Sequence, residues 1–227
     1  SIRIGLRLSK DETIVRMPFE VRHMGSKYPI FSFDFTGAKR GVLPASYDYL
    51  RLEGRMQYRL NLPPIGYSQL MLEGGKIFGK VPYLLLKLHE GNGTYFYDRY
   101  AFSCMNFYEF SSDAWISFFY EHHFNGFLLG RVPLLKKLNW REVFVFKGVY
   151  GTLSARNDGS LPNTKAVMLF PVGMSSVEHP YLETGFGIEN IFRLLRVDCI
   201  WRLTHHRAVP GLSIPTFTVN FSLNLKF

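Results

Sequence analysis

Read by parity, this chain separates again and again into one apolar and one polar face. Along "TFTVNFSLNLKF", Phe217, Val219, Phe221, Leu223, Leu225 and Phe227 are apolar, whereas Thr218, Asn220, Ser222, Asn224 and Lys226 are polar. A period of two marks a strand with one apolar face. The same alternation sets Ile2, Ile4, Leu6 and Leu8 against Arg3, Gly5 and Arg7, and Val15, Met17, Phe19 and Val21 against Arg16, Pro18, Glu20 and Arg22. It sets Phe31, Phe33 and Phe35 against Ser32, Asp34 and Thr36. "YDYLRLEGRMQYRLNL" places Leu50, Leu52, Met56, Tyr58, Leu60 and Leu62 opposite Arg51, Glu53, Arg55, Gln57, Arg59 and Asn61. "RLLRVDCIWRLTHH" places Leu195, Val197, Cys199, Trp201 and Leu203 opposite Arg196, Asp198, Arg202 and Thr204. Less regular segments at 65–78, 96–110, 113–124, 140–154 and 180–190 bring the expectation to about eleven strands, joined by turns such as "SKDE", "NLPPIG", "FSSDA" and "ENIFR".

Several of these runs reach about ten to fifteen residues, where soluble strands have a mode near five or six. A tilted strand needs about nine to eleven residues to cross a bilayer. A soluble sandwich or lipocalin-like barrel explains alternation as such, with its apolar face buried. It explains less well why the polar faces carry so much arginine with interleaved carboxylates. In a membrane barrel the sense is inverted, with apolar residues meeting lipid and charge turned inward. The predicted fold is therefore all-β: an antiparallel transmembrane β-barrel over residues 1–227. Its inward set is Arg3, Arg7, Arg16, Arg22, Arg51, Arg55, Arg59, Lys147, Arg196, Arg202 and Lys226 against Glu20, Asp34, Glu53, Glu73, Glu121 and Asp198. Arg51, Glu53, Arg55, Arg59, Arg196, Asp198 and Arg202 form the expected lumen charge network, because each carboxylate has arginine two residues away.

Composition agrees with a β-rich chain: 16% of the 227 residues are aromatic, including 21 Phe and 13 Tyr. No run of 18 apolar residues exists, which excludes a transmembrane helix. The net charge of +9 raises a nucleic-acid reading. Its distribution argues against one, since the basic residues lie inside the predicted barrel rather than on one solvent face. Cys104 and Cys199 belong to no CxxC pattern and read as unpaired apolar side chains.

With the chain's last strand ending in the periplasm, the loop 151–180 falls on the extracellular side and the linkers 79–95 and 125–139 on the periplasmic side. The two linkers share G-[KR]-V-P followed by a Leu/Lys stretch, and Pro82 and Pro133 suit the first turn of a short helix. Leu134, Leu135 and Leu138 would then oppose Arg131, Lys136 and Lys137. Such segments either lie on the membrane interface or plug the periplasmic mouth with those cations toward headgroups, or pack into the lumen as folded loops. Glu121 and His123 share one face of their strand and His122 the other, which suits rim and lumen residues better than metal ligands. No GxSxG, HExxH, P-loop or GxGxxG pattern is present, so no residue is expected to be catalytic and no cofactor is expected.

The block from "GKVPYLLLKLHEGNGTYFYDRYAFSCMNFYEF" through "EHHFNGFLLGRVPLLKKLNWREV", then "YLETGFGIENIFRLLRVDCIWRLTHH" and "FSLNLKF", resembles a Bacteroidetes outer-membrane family of unknown function. Its members bear an N-terminal carboxypeptidase-regulatory-like domain and a C-terminal barrel akin to the BamA and surface-antigen barrels. The likeness is strongest over 75–227. It implies an outer-membrane location, no enzyme activity and no cofactor. It also implies a C-terminal assembly signal at Phe221, Leu223, Leu225 and Phe227, read by the barrel assembly machinery. The assembly barrels carry an Arg-Gly-aromatic motif in a long loop before the fifth strand from the end. Here that turn reads "FSSDA", so insertase activity is not implied. Because such barrels have sixteen strands, the chain is expected to be the C-terminal part of a larger barrel. The expected function is an integral outer-membrane barrel in outer-membrane assembly or surface-protein biogenesis. The alternatives are an anion-preferring channel or transporter and a soluble β-barrel with an apolar ligand. The bilayer and the assembly machinery are the expected partners, and nucleic acid is not.

Overall fold

The computed structural model describes residues 1–17, 21–41, 46–163, 165–206 and 213–223, without the side chains of 21–24 and Leu134. The strands, in chain order, are β1 (Ile2–Leu8), β2 (Glu12–Arg16), β3 (Val21–Ser26), β4 (Ile30–Ala38), β5 (Tyr49–Asn61), β6 (Tyr67–Gly79), β7 (Lys87–Leu88) and β8 (Phe110–Ser112). There follow β9 (Ala114–His123), β10 (Arg141–Thr152), β11 (Ser175–Ser176), β12 (Tyr181–Ile191), β13 (Leu195–Arg202) and β14 (Phe217–Leu223), with one six-residue helix, α1 (Pro133–Leu138). The protein is all-β. Nine strands form one sheet in the order β1-β4-β5-β6-β9-β10-β12-β13-β14, every pair antiparallel.

Nine of the expected strands take their places in this sheet, and two do not. The run at 13–23 is split between β2 and β3, which pair with each other in a sheet of their own. Residues 96–109 form turns, bends and isolated bridges rather than a strand, for Tyr97, Asp98, Arg99 and Tyr100 break the alternation there. The sheet also does not close: among the described residues β1 and β14 are its two edges.

Loss of a strand at 96–110 changes where the linkers lie. Gly79, Ala114, Thr152 and Tyr181 all fall at one end of the ladder. The 79–95 linker therefore leaves the same end as the 151–180 loop, not the opposite one. It continues through residue 113 as one inserted segment, longer than the 151–180 loop and lying against one face of the sheet. The connection before β9 is thus this whole segment rather than the short "FSSDA", and it holds no Arg-Gly-aromatic triplet; its arginine is Arg99, followed by Tyr100.

The two similar linkers part ways. Val81 and Leu86 are buried against Ile77 and Trp115, and Pro82 leads only into a single 3-10 turn at Tyr83–Leu85. Pro133 does open α1, whose Lys136, Lys137 and Leu138 stay exposed. The 125–139 linker sits at the other end of the ladder, beyond His123.

The face covered by residues 80–113 is the inner one, and its polarity is inverted relative to a soluble sheet. On β12, Glu183 and Glu189 are buried while Phe186 is 60% exposed. On β13, Arg196, Asp198 and Arg202 are buried while Trp201 is 41% exposed. On β14, Asn220 is buried and Phe217, Phe221 and Leu223 are exposed, as parity requires. Between the inner face and the inserted segment lies an apolar cluster of Met71, Phe102, Met105, Phe110, Phe119, Val149, Val177 and Tyr181.

Candidate functional site

The inner face brings most of the expected charge network into contact, but divides it among three groups that the inserted segment completes. On β5 and β6, Arg51 Nη2 lies 2.7 Å from Glu53 Oε1 and Arg55 Nη2 2.6 Å from Glu73 Oε2. Lys87, on the segment, lies 2.8 Å from Glu73 and 2.7 Å from Glu90. Burial opposes the Lys87 ammonium, but Glu90 and Glu73 outweigh it and raise its pKa. Arg59 stands apart, stacked on the Tyr67 ring at 4.1 Å.

Glu121 centres the second group. Its carboxylate accepts from Arg99 Nε at 2.8 Å, from Arg196 Nη2 at 3.2 Å and from the Tyr97 hydroxyl. Arg196 also holds Asp198 at 2.7 Å. His123 lies between Glu121 and Glu189, at 3.4 and 3.2 Å, while His122 is on the other face and contacts Ser68 Oγ at 2.8 Å. The expected parity of these histidines is thus observed. Room for Asp198 comes from Gly187 across the ladder, where an added Cβ would lie 2.2 Å from Asp198 Oδ1. Lys147, buried on β10, donates to the Asp98 and Ala101 carbonyls at 2.8 and 2.5 Å.

In the third group Glu183 accepts from the backbone N–H groups of Ser103 and Cys104, at 2.8 and 2.7 Å, and from Tyr181 OH at 2.6 Å. Arg202 donates to Glu109 at 2.6 Å and to the Cys104 carbonyl at 3.2 Å. Burial, then Glu183, pushes the Cys104 thiol up to about 12, so this cysteine stays protonated and inert. Cys199 is free as well.

Sequence reasoning missed Lys87, Tyr97, Arg99, Glu109 and Glu183. Only Glu183 carried a legible signal, since parity along Tyr181, Glu183, Gly185, Gly187 and Glu189 gives a polar or small inner face. Lys87 sits in the two-residue β7 and the other three in irregular chain, where no period marks them. Of the expected assembly signal, Phe221 and Leu223 face outward, and Leu225 and Phe227 lie outside the described residues, as do Asn224 and Lys226. Of the cations expected at a membrane interface, Arg131 stacks on Phe127 at 4.2 Å.

Chemically this is a set of largely buried charges paired with one another or with polar groups of the inserted segment, although Arg51 Nε has no hydrogen-bond partner. Among the described residues two Ser–His contacts stand out, His89 Nε2 at 2.9 Å from Ser112 Oγ and His122 Nδ1 at 2.8 Å from Ser68 Oγ. All four of these residues are buried. Burial, then Lys87, holds His89 neutral, with its pKa lowered to about 3. A cavity of about 760 Å³ opens where the strands meet the long loops, lined by Glu109, Phe110, His179, Leu182, Arg202 and His205 among others. Its size would suit a small organic ligand, although the Arg202 charge is already engaged by Glu109.

Fold and site together define an all-β protein with an antiparallel sheet that is open among the described residues, one face apolar and bare, the other ionic, and a long segment folded onto the ionic face. The chain belongs to the family described as "Family of unknown function (DUF5686) C-terminal domain", whose profile matches residues 1–155. The match takes in the first 75 residues, where the resemblance of motifs was weakest, and ends before β12. The comparison with curated proteins gave no match.

Proposed function

We propose that this sheet is part of the wall of an outer-membrane β-barrel whose interior is filled by residues 80–113, and that the protein is an integral, non-enzymatic barrel of the bacterial outer membrane. The observation that carries the reading is the inverted polarity: Ile116, Tyr150, Phe186, Trp201 and Phe221 are bare, while Glu121, Lys147, Glu183, Arg196 and Arg202 are buried. Bare apolar residues over a whole sheet face mark a surface that meets something other than water.

The register gives independent support. Following the ladder across the outer face connects Leu8, Phe31, Met56, Leu72, Phe118, Gly148 and Leu182. The row starts at the last residue of β1 and reaches β12 near its first. The outward apolar set thus slips by about one residue per strand, which at about 3.3 Å per residue and 4.8 Å per strand corresponds to a tilt of about 35° for a level apolar band. Barrel strands tilt by about that much.

Kinship with the BamA and surface-antigen barrels, and with a Bacteroidetes family bearing a carboxypeptidase-regulatory-like domain, extends the proposal to a role in outer-membrane assembly or surface-protein biogenesis. The bilayer and the assembly machinery are the partners. Heat-modifiable migration of the full-length protein, and its recovery only with detergent, are the expected results; solubility without detergent would sink the reading. A second reading, an anion-preferring channel, draws on Arg3, Arg7, Arg55 and Arg59, which the inserted segment leaves uncovered. Planar-bilayer conductance with an anion/cation ratio above one is its test, and an electrically silent protein excludes it.

A further inference from the structure

The inserted segment does more than lie on the inner face, because it reaches round to the free edge of β14. Phe221 N–H donates to the Tyr95 carbonyl and Tyr97 N–H donates to the Phe221 carbonyl, both at 2.7 Å. The pairing of Phe96 with Phe221 is parallel and isolated, one residue of a seven-residue strand. Asn220 Nδ2 adds a bond to the Thr94 carbonyl at 3.1 Å. Tyr95 and Phe96 themselves are largely exposed, so burial of their rings does not explain why the segment is there. It is tied inward instead, through Tyr97 and Arg99 to Glu121, and through Asp98 to Lys147.

Strand directions say what belongs on that edge. Every neighbouring pair in the main sheet is antiparallel, and with nine strands β1 and β14 run the same way. Pairing β14 directly with β1 would be parallel, unlike the rest of the wall. The fitting occupant of the β14 edge is a strand running opposite to β14, and the parallel contact at 94–97 stands where its hydrogen bonds would go. An unprotected edge strand pairs with whatever strand it meets, and proteins commonly block such edges.

We propose that residues 94–97 are a removable cap on the β14 edge, displaced when an antiparallel wall strand pairs with β14. This rests on the barrel-wall reading. The cap's attachment to Glu121 and Lys147 links the edge to the ionic interior, so that covering or freeing the edge and reorganising the inner contacts occur together.

The test uses full-length protein in membranes, carrying Phe96→Cys and Phe221→Cys, with single-cysteine variants controlling for Cys104 and Cys199. One gel scores both the reducible 96–221 disulfide and heat-modifiable migration, which reports a closed wall. Disulfide-bearing molecules are expected to lose heat modifiability and to regain it on reduction. Molecules showing both the disulfide and heat modifiability would overturn the cap, as would absence of the disulfide from every molecule. Absence of heat modifiability in the parent protein would instead remove the barrel-wall reading. Adding Tyr97→Phe, which loosens the cap without altering β14, is expected to lower the disulfide yield; an unchanged yield would rule out the link to the interior.

Discussion

Glu121 is the residue on which the inner face depends most, since Arg99, Arg196, Tyr97 and His123 all turn to it. Breaking a buried ionic contact from one side leaves its partners charged and unmatched, which costs about 3–5 kcal/mol. Glu121→Gln keeps the volume and removes the charge, so a loss near the lower end of that range is expected, read as a lowered denaturant midpoint in detergent. Arg59→Ala, at an exposed stacked position, is expected to change the midpoint by less than about 1 kcal/mol. His89 gives the acid dependence. Its folded pKa, about 3, lies below the ordinary 6.5, so the unfolded chain takes up the proton first. The stability it contributes is present above pH 6.5 and is lost as pH falls toward 3, at about 1.4 kcal/mol per pH unit. His89→Gln is expected to flatten that limb of a midpoint-versus-pH series, and an unchanged slope would show that His89 is not its source.

Among the elements, the inserted segment is held by both ionic and apolar contacts, and these are separable. Phe102 is fully buried, with Phe119 at 5.1 Å and Tyr181 at 5.3 Å between ring centroids. Phe102→Ala is expected to cost about 3–5 kcal/mol. The cost is expected to fall on the segment rather than on the sheet, so trypsin cleavage at Arg99 should appear while the sheet stays folded. The β5–β6 turn has a different weak point. Gly66 has φ +105°, and an added Cβ would lie 1.8 Å from the His123 carbonyl oxygen. Gly66→Ala is therefore expected to disrupt the turn and sharply reduce the yield of folded protein. The β5 and β6 strands on either side of it were legible from alternation alone. The segment at 96–110 was not, because a chain that folds onto a surface takes its conformation from that surface. Its Tyr97, Arg99 and Glu109 sit where Glu121, Arg196 and Arg202 require partners, not where any local period puts them.

For the whole molecule, the proposed barrel-wall reading predicts which tryptophan would meet lipid. Trp201 faces outward and is 41% exposed, whereas Trp115 is inward and 5% exposed. In single-tryptophan variants, brominated lipids are expected to quench Trp201 strongly and Trp115 weakly; equal quenching would contradict the assignment of the faces. That assignment was readable in the sequence, because a strand's side chains alternate by covalent geometry and Phe186 or Trp201 must oppose Glu183 or Arg202 whatever surrounds them. So were most of the strands and the all-β class. Strand count, the end at which the 79–95 linker leaves, and the partner of each charge were decided only by tertiary structure. Each depends on contacts between residues far apart in sequence, such as Arg99 with Glu121 or Tyr97 with Phe221, and periodicity carries no information about which distant surface a segment will meet.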